Sequence, residues 1–302
     1  VTVEELSGFA LAARAQARIP CRGMGGLVCV STPLDGQDHH PPLEVVAGLI
    51  AAGAGAKVLI LSDRCVPPRR GLTAANVLEE LDLAMTWDPS EAEHWVSQSG
   101  FAAVSVSGVL PALLNLRRVR GDVILRTPLS TVEKLLAPAG SAVVLGAQSG
   151  PVLGTAVEVI QSLGHPRGIA LQGVDGGAVP YLRKRTRGIE LCEGHLVPLA
   201  VEPQDFGLGC FEEPELPLFG PSEEGYGASD NPALVSAAGQ AALRVLAGER
   251  GPARSATLLS AAVMLKAGGQ VLSLADGVDA ASISLDDGAA QGVLDHARKL
   301  LK

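Results

Sequence analysis

Short apolar runs recur along this chain with helix-length segments between them, and that alternation restricts the fold more than any other feature. Residues 27–31, 57–61, 101–106, 142–146, 168–171 and 189–191 each read as a strand. The intervening segments carry helix signals. Thr2-Val3-Glu4-Glu5 is a capping-box pattern, and Leu6, Phe9, Ala10 and Ala13 follow on one face of a helix that ends before Pro20. Further helices are expected over 43–54, 74–82, 90–99, 111–120, 152–163, 232–247 and 252–267, with a short one inside 124–140 closed by Pro138 and Gly140. A last helix is expected over 285–301, interrupted near Gly288. Strands alternating with helices imply an α/β fold with a mostly parallel sheet covered by helices on both faces.

Composition agrees with that layering. Of the 302 residues, 47% are hydrophobic and only 3% aromatic, which suits close helix-on-sheet packing. The formal net charge of −8 disfavours nucleic acid or an anionic membrane as a bulk partner, so attraction for a polyanion has to be local. Five scattered cysteines, Cys21, Cys29, Cys65, Cys192 and Cys210, have no C-x-x-C spacing; a reduced, cytoplasmic chain without a zinc site or disulfide framework is expected. The uncharged stretches 98–116 and 135–157 contain Pro, Gly and Ser and read as core, not membrane spans. The start lacks a signal-peptide pattern, and its first residue, Val1, implies chain upstream. Residues 202–224 hold seven acidic residues, no basic ones and four prolines, and read as an irregular exposed crossing.

The densest positive charge follows a strand and a glycine turn. After the strand at 168–171, Gly173, Asp175, Gly176 and Gly177 form the turn, and Arg183, Lys184, Arg185 and Arg187 come next, around Tyr181. Open α/β sheets bind ligands outside the carboxyl ends of their strands, so this is a natural place for an anion; a solvated charged loop is the plainer reading. Adjacent His39 and His40 diverge in direction, which points to surface exposure and away from a metal site.

Arg126-Thr127-Pro128-Leu129 with Leu135-Leu136-Ala137-Pro138-Ala139-Gly140 resembles the R-T-x-F-N-x-L-x-P-L-L-N-P-A-G phrase of anthranilate phosphoribosyltransferases. The likeness continues through Ser149-Gly150-Pro151, Ala156-Val157-Glu158, Leu163-Gly164, Gln172-Gly173-Val174-Asp175-Gly176, Pro203-Gln204-Asp205-Phe206-Gly207-Leu208, Gly248-Glu249-Arg250-Gly251-Pro252 and Asp287-Gly288-Ala289-Ala290. The resemblance implies a nucleoside phosphorylase/phosphoribosyltransferase type of fold. Residues 1–20 plus 109–138 would form a small helical domain whose earlier helices lie upstream, and 21–108 plus 139–302 the larger α/β domain. It further implies a cleft between the domains, a homodimer through the small ones, and transfer of phosphoribose from phosphoribosyl pyrophosphate to anthranilate with magnesium.

The chain departs from that pattern where phosphate and metal would bind. Ser31-Thr32-Pro33-Leu34-Asp35-Gly36 stands for the family's G-T-G-G-D loop, and Pro33 removes an amide donor. Ile60-Leu61-Ser62-Asp63-Arg64 stands for K-H-G-N-R. In place of a serine-rich phosphate segment comes a proline- and arginine-rich one with Arg69 and Arg70. Ala178 and Val179 occupy the positions of two magnesium-binding acids, so the expected cofactor is none. On the acceptor side, Arg120 falls on the arginine that engages anthranilate's carboxylate, while Leu110 stands for a histidine.

Two functions follow. The first is a protein on this scaffold with a degenerate phosphoribosyl pyrophosphate site, binding a phosphate-rich ligand, nucleic acid or nucleotide, through Arg64, Arg69, Arg70, Arg117, Arg118, Arg120, Arg183, Lys184, Arg185 and Arg187 beside Asp175 and Gly176. The second is a glycosyl or phosphoribosyl transferase with an altered substrate and a metal-independent anion site. A structural or regulatory dimer ranks below both.

Overall fold

The computed structural model describes residues 1–64, 66–148, 150–217 and 227–301. Cys65, Ser149 of the family-like phrase and the end of the acidic crossing lie outside them. Seven strands form one sheet: β1 (Leu27–Ser31), β2 (Lys57–Ser62), β3 (Phe101–Ser105), β4 (Ala142–Gly146), β5 (Arg167–Leu171), β6 (Thr186–Cys192) and β7 (His195–Val201). Their order is β3-β2-β1-β4-β5-β6-β7; β1 to β5 are mutually parallel, and β6 and β7 add an antiparallel edge. The expected mostly parallel sheet is therefore what forms.

The helices are α1 (Val3–Gln16), α2 (Glu44–Gly53), α3 (Ala74–Glu80), α4 (Pro89–Ser99), α5 (Val106–Val109), α6 (Ala112–Asn115), α7 (Arg117–Val123), α8 (Leu129–Val132), α9 (Gly150–Ser162), α10 (Pro232–Leu246), α11 (Pro252–Ala267), α12 (Leu274–Asp286) and α13 (Ala289–Leu300). Alternate strand residues feed two cores. Val28, Val30, Val58, Ile60 and Val144 pack with α2 and α10 to α13 on one face. Leu27, Cys29, Leu59, Leu61 and Leu145 pack with α1, α4 and α9 on the other. Among the described residues no helix is long and apolar enough to cross a membrane.

Three expectations change. The helix expected over 111–120 is two short ones, α6 and α7. The last helix begins at Ala289 behind Gly288 (φ 78°), and α12 precedes it where no helix was expected. The strand at β6 pairs with β7, a second strand that sequence reading missed, through a turn in which Glu193 and Gly194 both have positive φ.

Candidate functional site

The strand order reverses between β1 and β4: the chain runs outward from β1 to β3 on one side and from β4 to β5 on the other. Such a switch point opens a crevice at the carboxyl ends of the strands. A cavity of about 630 Å³ lies there. Pro33, Leu34 and Asp35 follow β1; Gly146 ends β4, and Ala147 and Gln148 follow it; Asp175 and Gly176 belong to the turn after β5; and residues between Arg126 and Leu135, among them Glu133 and Lys134, close the opposite wall with Leu6 from α1. A larger groove of about 700 Å³, against α10 and the start of α11, contains no strand-end residue.

Charge in the cavity is arranged in pairs, with one exception. Arg126 Nε donates to Asp35 Oδ2 at 2.6 Å. Glu133 faces the buried Arg120, whose Nη1 and Nη2 donate at 2.6 and 3.0 Å, with Ser130 Oγ accepting at 3.1 Å. Burial raises the Glu133 carboxyl, opposed by the hydrogen bonds and charge of Arg120. Lys134 is the exception. Its Nζ donates to the Gly146 carbonyl at 3.2 Å, and no carboxylate of the described residues lies within ion-pair distance. Burial lowers its pKa, with Asp35, Glu133 and Glu44 pulling the other way. Around these groups Leu6, Leu34, Leu135, Val152 and Val159 supply apolar wall. The cavity can thus hold an anion at Lys134 and an apolar ring beside it.

The turn after β5 is closed by Val174 N–H donating to Val179 O at 2.9 Å. Asp175 sits in it at φ 51°, and its Oδ2 takes a hydrogen bond from the His39 amide and pairs with His40 Nδ1 at 3.1 Å. Burial alone would raise Asp175; its bonds to His40 and His39 outweigh that and leave it low. His39 is exposed as expected, but His40 is half-buried, with its Nδ1 against Asp175 Oδ2. Ala178 and Val179 are buried in the core. Their side chains offer no oxygen to a metal, and no group of three His, Cys, Asp or Glu that could hold a metal exists among the described residues.

Of the sequence-predicted residues, Asp175 and Gly176 line the cavity. Arg64 pairs with Glu79; Arg69 pairs with Asp38 at 3.2 Å and donates to Gly36 O. Arg117 pairs with the buried Asp63 at 2.6 Å, while Arg118 is exposed. Arg120 is consumed by Glu133 and is not a lining residue. Arg70 is exposed, and its carbonyl accepts from Ser229. Lys184 Nζ lies 4.0 Å above the Tyr181 ring, and Arg185 pairs with Glu202 at 2.7 Å; Arg183 and Arg187 are exposed. None of these cations lines the cavity. Asp35, Arg126, Glu133 and Lys134 do, and reading for clusters of like charge passed over them. The usable signal was the charged pair Glu133-Lys134 inside an otherwise apolar stretch.

The family model described as glycosyl transferase family, a/b domain, matches residues 39–291. An anthranilate phosphoribosyltransferase of Desulfitobacterium hafniense is 28% identical over 300 residues, 98% of this chain and 84% of that protein. One from Exiguobacterium sibiricum is 29% identical over 305 residues, 99% of this chain and 84% of that protein. Among solved structures, the anthranilate phosphoribosyltransferase of Thermus thermophilus superposes with a TM-score of 0.79 at 26% identity, covering 99% of this chain and 85% of that one. The Saccharomyces cerevisiae enzyme in complex with PRPP and Mg gives 0.78 at 17% identity, covering 99% and 80%, a likeness of fold alone.

Proposed function

Because the chain belongs to the glycosyl transferase family, a/b domain, we propose that it is an anthranilate-phosphoribosyltransferase-like protein with a degenerate phosphoribosyl pyrophosphate site. Its cavity binds a compact phosphate-bearing ligand of the nucleotide class through its own cations, without magnesium. The observation that carries this reading is Lys134. A half-buried ammonium whose partner is a carbonyl, set in the wall of a cavity at the switch point, gains most from an incoming anion. Arg126, already on Asp35, is placed to share that anion.

The arginines outside the cavity support a compact ligand over an extended strand. Arg64, Arg69, Arg117, Arg120 and Arg185 are each neutralised by a carboxylate, so they form no continuous basic track. Calorimetric titration with a nucleoside 5′-phosphate and with phosphoribosyl pyrophosphate, with and without magnesium, tests the reading. Binding should be indifferent to magnesium and weaken at least roughly tenfold in Lys134→Met, the loss of about 1.4 kcal/mol or more expected for one charge-assisted contact. No binding of either compound, or binding that Lys134→Met leaves unchanged, would sink it. Fluorescence anisotropy of a labelled single-stranded oligonucleotide across a salt series covers the other ligand: tight binding with a steep salt slope, lost when Arg183, Lys184 and Arg185 become Ala, would replace the compact ligand by nucleic acid.

A second reading is favoured by the apolar wall. Leu34, Leu135, Val152 and Val159 beside Lys134 could seat a ring-bearing acceptor, making the protein a transferase with an altered substrate. Lys134 and Arg126 would then stabilise negative charge building on the departing phosphate. Release of phosphate or pyrophosphate from a phosphorylated donor in the presence of candidate ring acceptors separates the two readings.

A further inference from the structure

Lys134 is fixed at both ends. Its own carbonyl accepts from Ser31 Oγ, at the end of β1, at 2.7 Å, and the next carbonyl, that of Leu135, accepts from Arg14 Nη1 of α1 at 3.1 Å. The far end of the side chain donates to the Gly146 carbonyl, which closes β4, at 3.2 Å. Other lysines are placed differently. Lys266 Nζ pairs with Glu190 at 3.1 Å, Lys184 lies exposed over the Tyr181 ring, and Lys57 is exposed. Lys134 has a carbonyl where Lys266 has a carboxylate. Burial and the charge of Arg126 both work against its ammonium, and Asp35, Glu133 and Glu44 offset only part of that. An unprotonated amine held in this way gives one N–H to Gly146 and keeps a lone pair for a ligand. Beside it the cavity offers Leu34, Leu135 and Val152 to a ring and Arg126 to a phosphate.

We propose that Lys134 is an imine-forming lysine, and that the cavity captures a ring-bearing phosphorylated aldehyde reversibly through its Nζ. A lysine desolvated among apolar side chains and set beside a second cation is the kind that reacts with carbonyl compounds. In the net reaction the ammonium and the aldehyde give a protonated imine and one water. A C=N bond replaces C=O, two of the three nitrogen protons leave on the oxygen, and the positive charge stays on the nitrogen, beside the phosphate. Nothing is oxidised or reduced. The phosphate contact rests on the cavity reading given above, whereas the covalent step is particular to Lys134.

Pyridoxal 5′-phosphate is the probe. Mixed with the whole protein, reduced with borohydride and mapped by peptide mass spectrometry, it should leave one equivalent on Lys134 at concentrations at least roughly tenfold below those that mark Lys57 or Lys184. Pyridoxal, which lacks the phosphate, should need at least roughly tenfold more to do the same. Labelling of Lys134 should rise with pH and level off below the ordinary lysine value of 10.5, since only the unprotonated amine adds to a carbonyl. Lys134→Arg keeps a positive charge and cannot form an imine, so it should lose the adduct. Labelling spread evenly over the exposed lysines, an imine signal undiminished in Lys134→Arg, or pyridoxal as effective as its phosphate overturns the proposal. The first and last are read on the wild type, whether or not Lys134→Arg folds. Selective trapping on Lys134 in a protein that binds no nucleoside 5′-phosphate would defeat the nucleotide reading of the cavity and leave this one standing; nucleotide binding without trapping does the reverse.

Discussion

His165 is held in one tautomer by its neighbours. Arg14 Nη1 lies 3.2 Å from Nε2, and a guanidinium can only donate, so Nε2 accepts and the proton sits on Nδ1, which donates to the Ser141 carbonyl at 3.0 Å. Burial, aided by the charge of Arg14, pushes the imidazole down to about 4. Between that value and the ordinary 6.5 the unfolded chain binds the proton that the folded protein refuses, so stability rises with pH through this window and is lost as pH falls from 6.5 towards 4. The full effect is about 3 kcal/mol. Urea midpoints measured from pH 7 to pH 4 should fall more steeply in the wild type than in His165→Gln; parallel curves would contradict this. The Arg120–Glu133 pair makes a second case. Arg120→Ala leaves a buried carboxylate without its bidentate partner and should cost about 3–5 kcal/mol by urea denaturation, whereas a matched apolar pair at both positions should recover most of it. Sequence reading took Arg120 for a ligand residue because the phrase around Arg126 placed it there. Only the fold reveals Glu133 across the turn of α8.

Strands β1 to β5 were legible almost to the residue because, buried on both faces, they are written as unbroken apolar runs. β7 was not legible for the opposite reason: it is an edge strand, mostly exposed, with Pro198 inside it. α12 was passed over although Leu274, Val278, Ala281 and Leu285 recur at helical spacing, and its start is marked by Ser273 and Asp276, which form a capping box that a search for S-x-x-D would have found. The ends of elements matter most at the cavity. Gly146 closes β4 directly under the turn after β5, where a Cβ would run into the Gly177 and Gly176 carbonyls, both backbone and unable to swing aside. Gly288, which starts α13, has open space around its missing Cβ and only its positive φ to satisfy. Gly288→Ala should therefore cost about 1 kcal/mol, and Gly146→Ala should cost more than twice that and weaken ligand binding as well, because the turn bearing Asp175 must move. Thermal unfolding of the two variants, with ligand titration of Gly146→Ala, checks both; equal costs would mean that the turn yields without consequence.

Across the whole molecule, five of the ten cations legible in the sequence, Arg64, Arg69, Arg117, Arg120 and Arg185, are balanced by carboxylates that were not. Asp63 stands 54 residues from Arg117, and Glu202 stands 17 from Arg185, so nothing local announces either pair. Part of the acidic complement is thus folded against the arginines, and the surface near the small helices carries large apolar side chains beside Arg118 and Asp122. Val119, Val123, Ile124 and Leu125, with Leu114 a turn away, are all exposed, Ile124 and Leu125 by about 70%. A monomer has little reason to display so many large apolar side chains within a dozen residues. On this surface we propose a homodimer through α6 and α7. Burial of such side chains contributes roughly 1.5 kcal/mol or more apiece, enough that two charges placed among them should separate the copies. Sedimentation velocity should therefore give a dimer for the wild type and a monomer for the Val119→Asp, Leu125→Glu double variant. Lys134-dependent ligand binding should persist in that monomer, since the cavity described here is built from one chain; a wild-type monomer, or a dimer indifferent to both charges, would remove this surface as the interface.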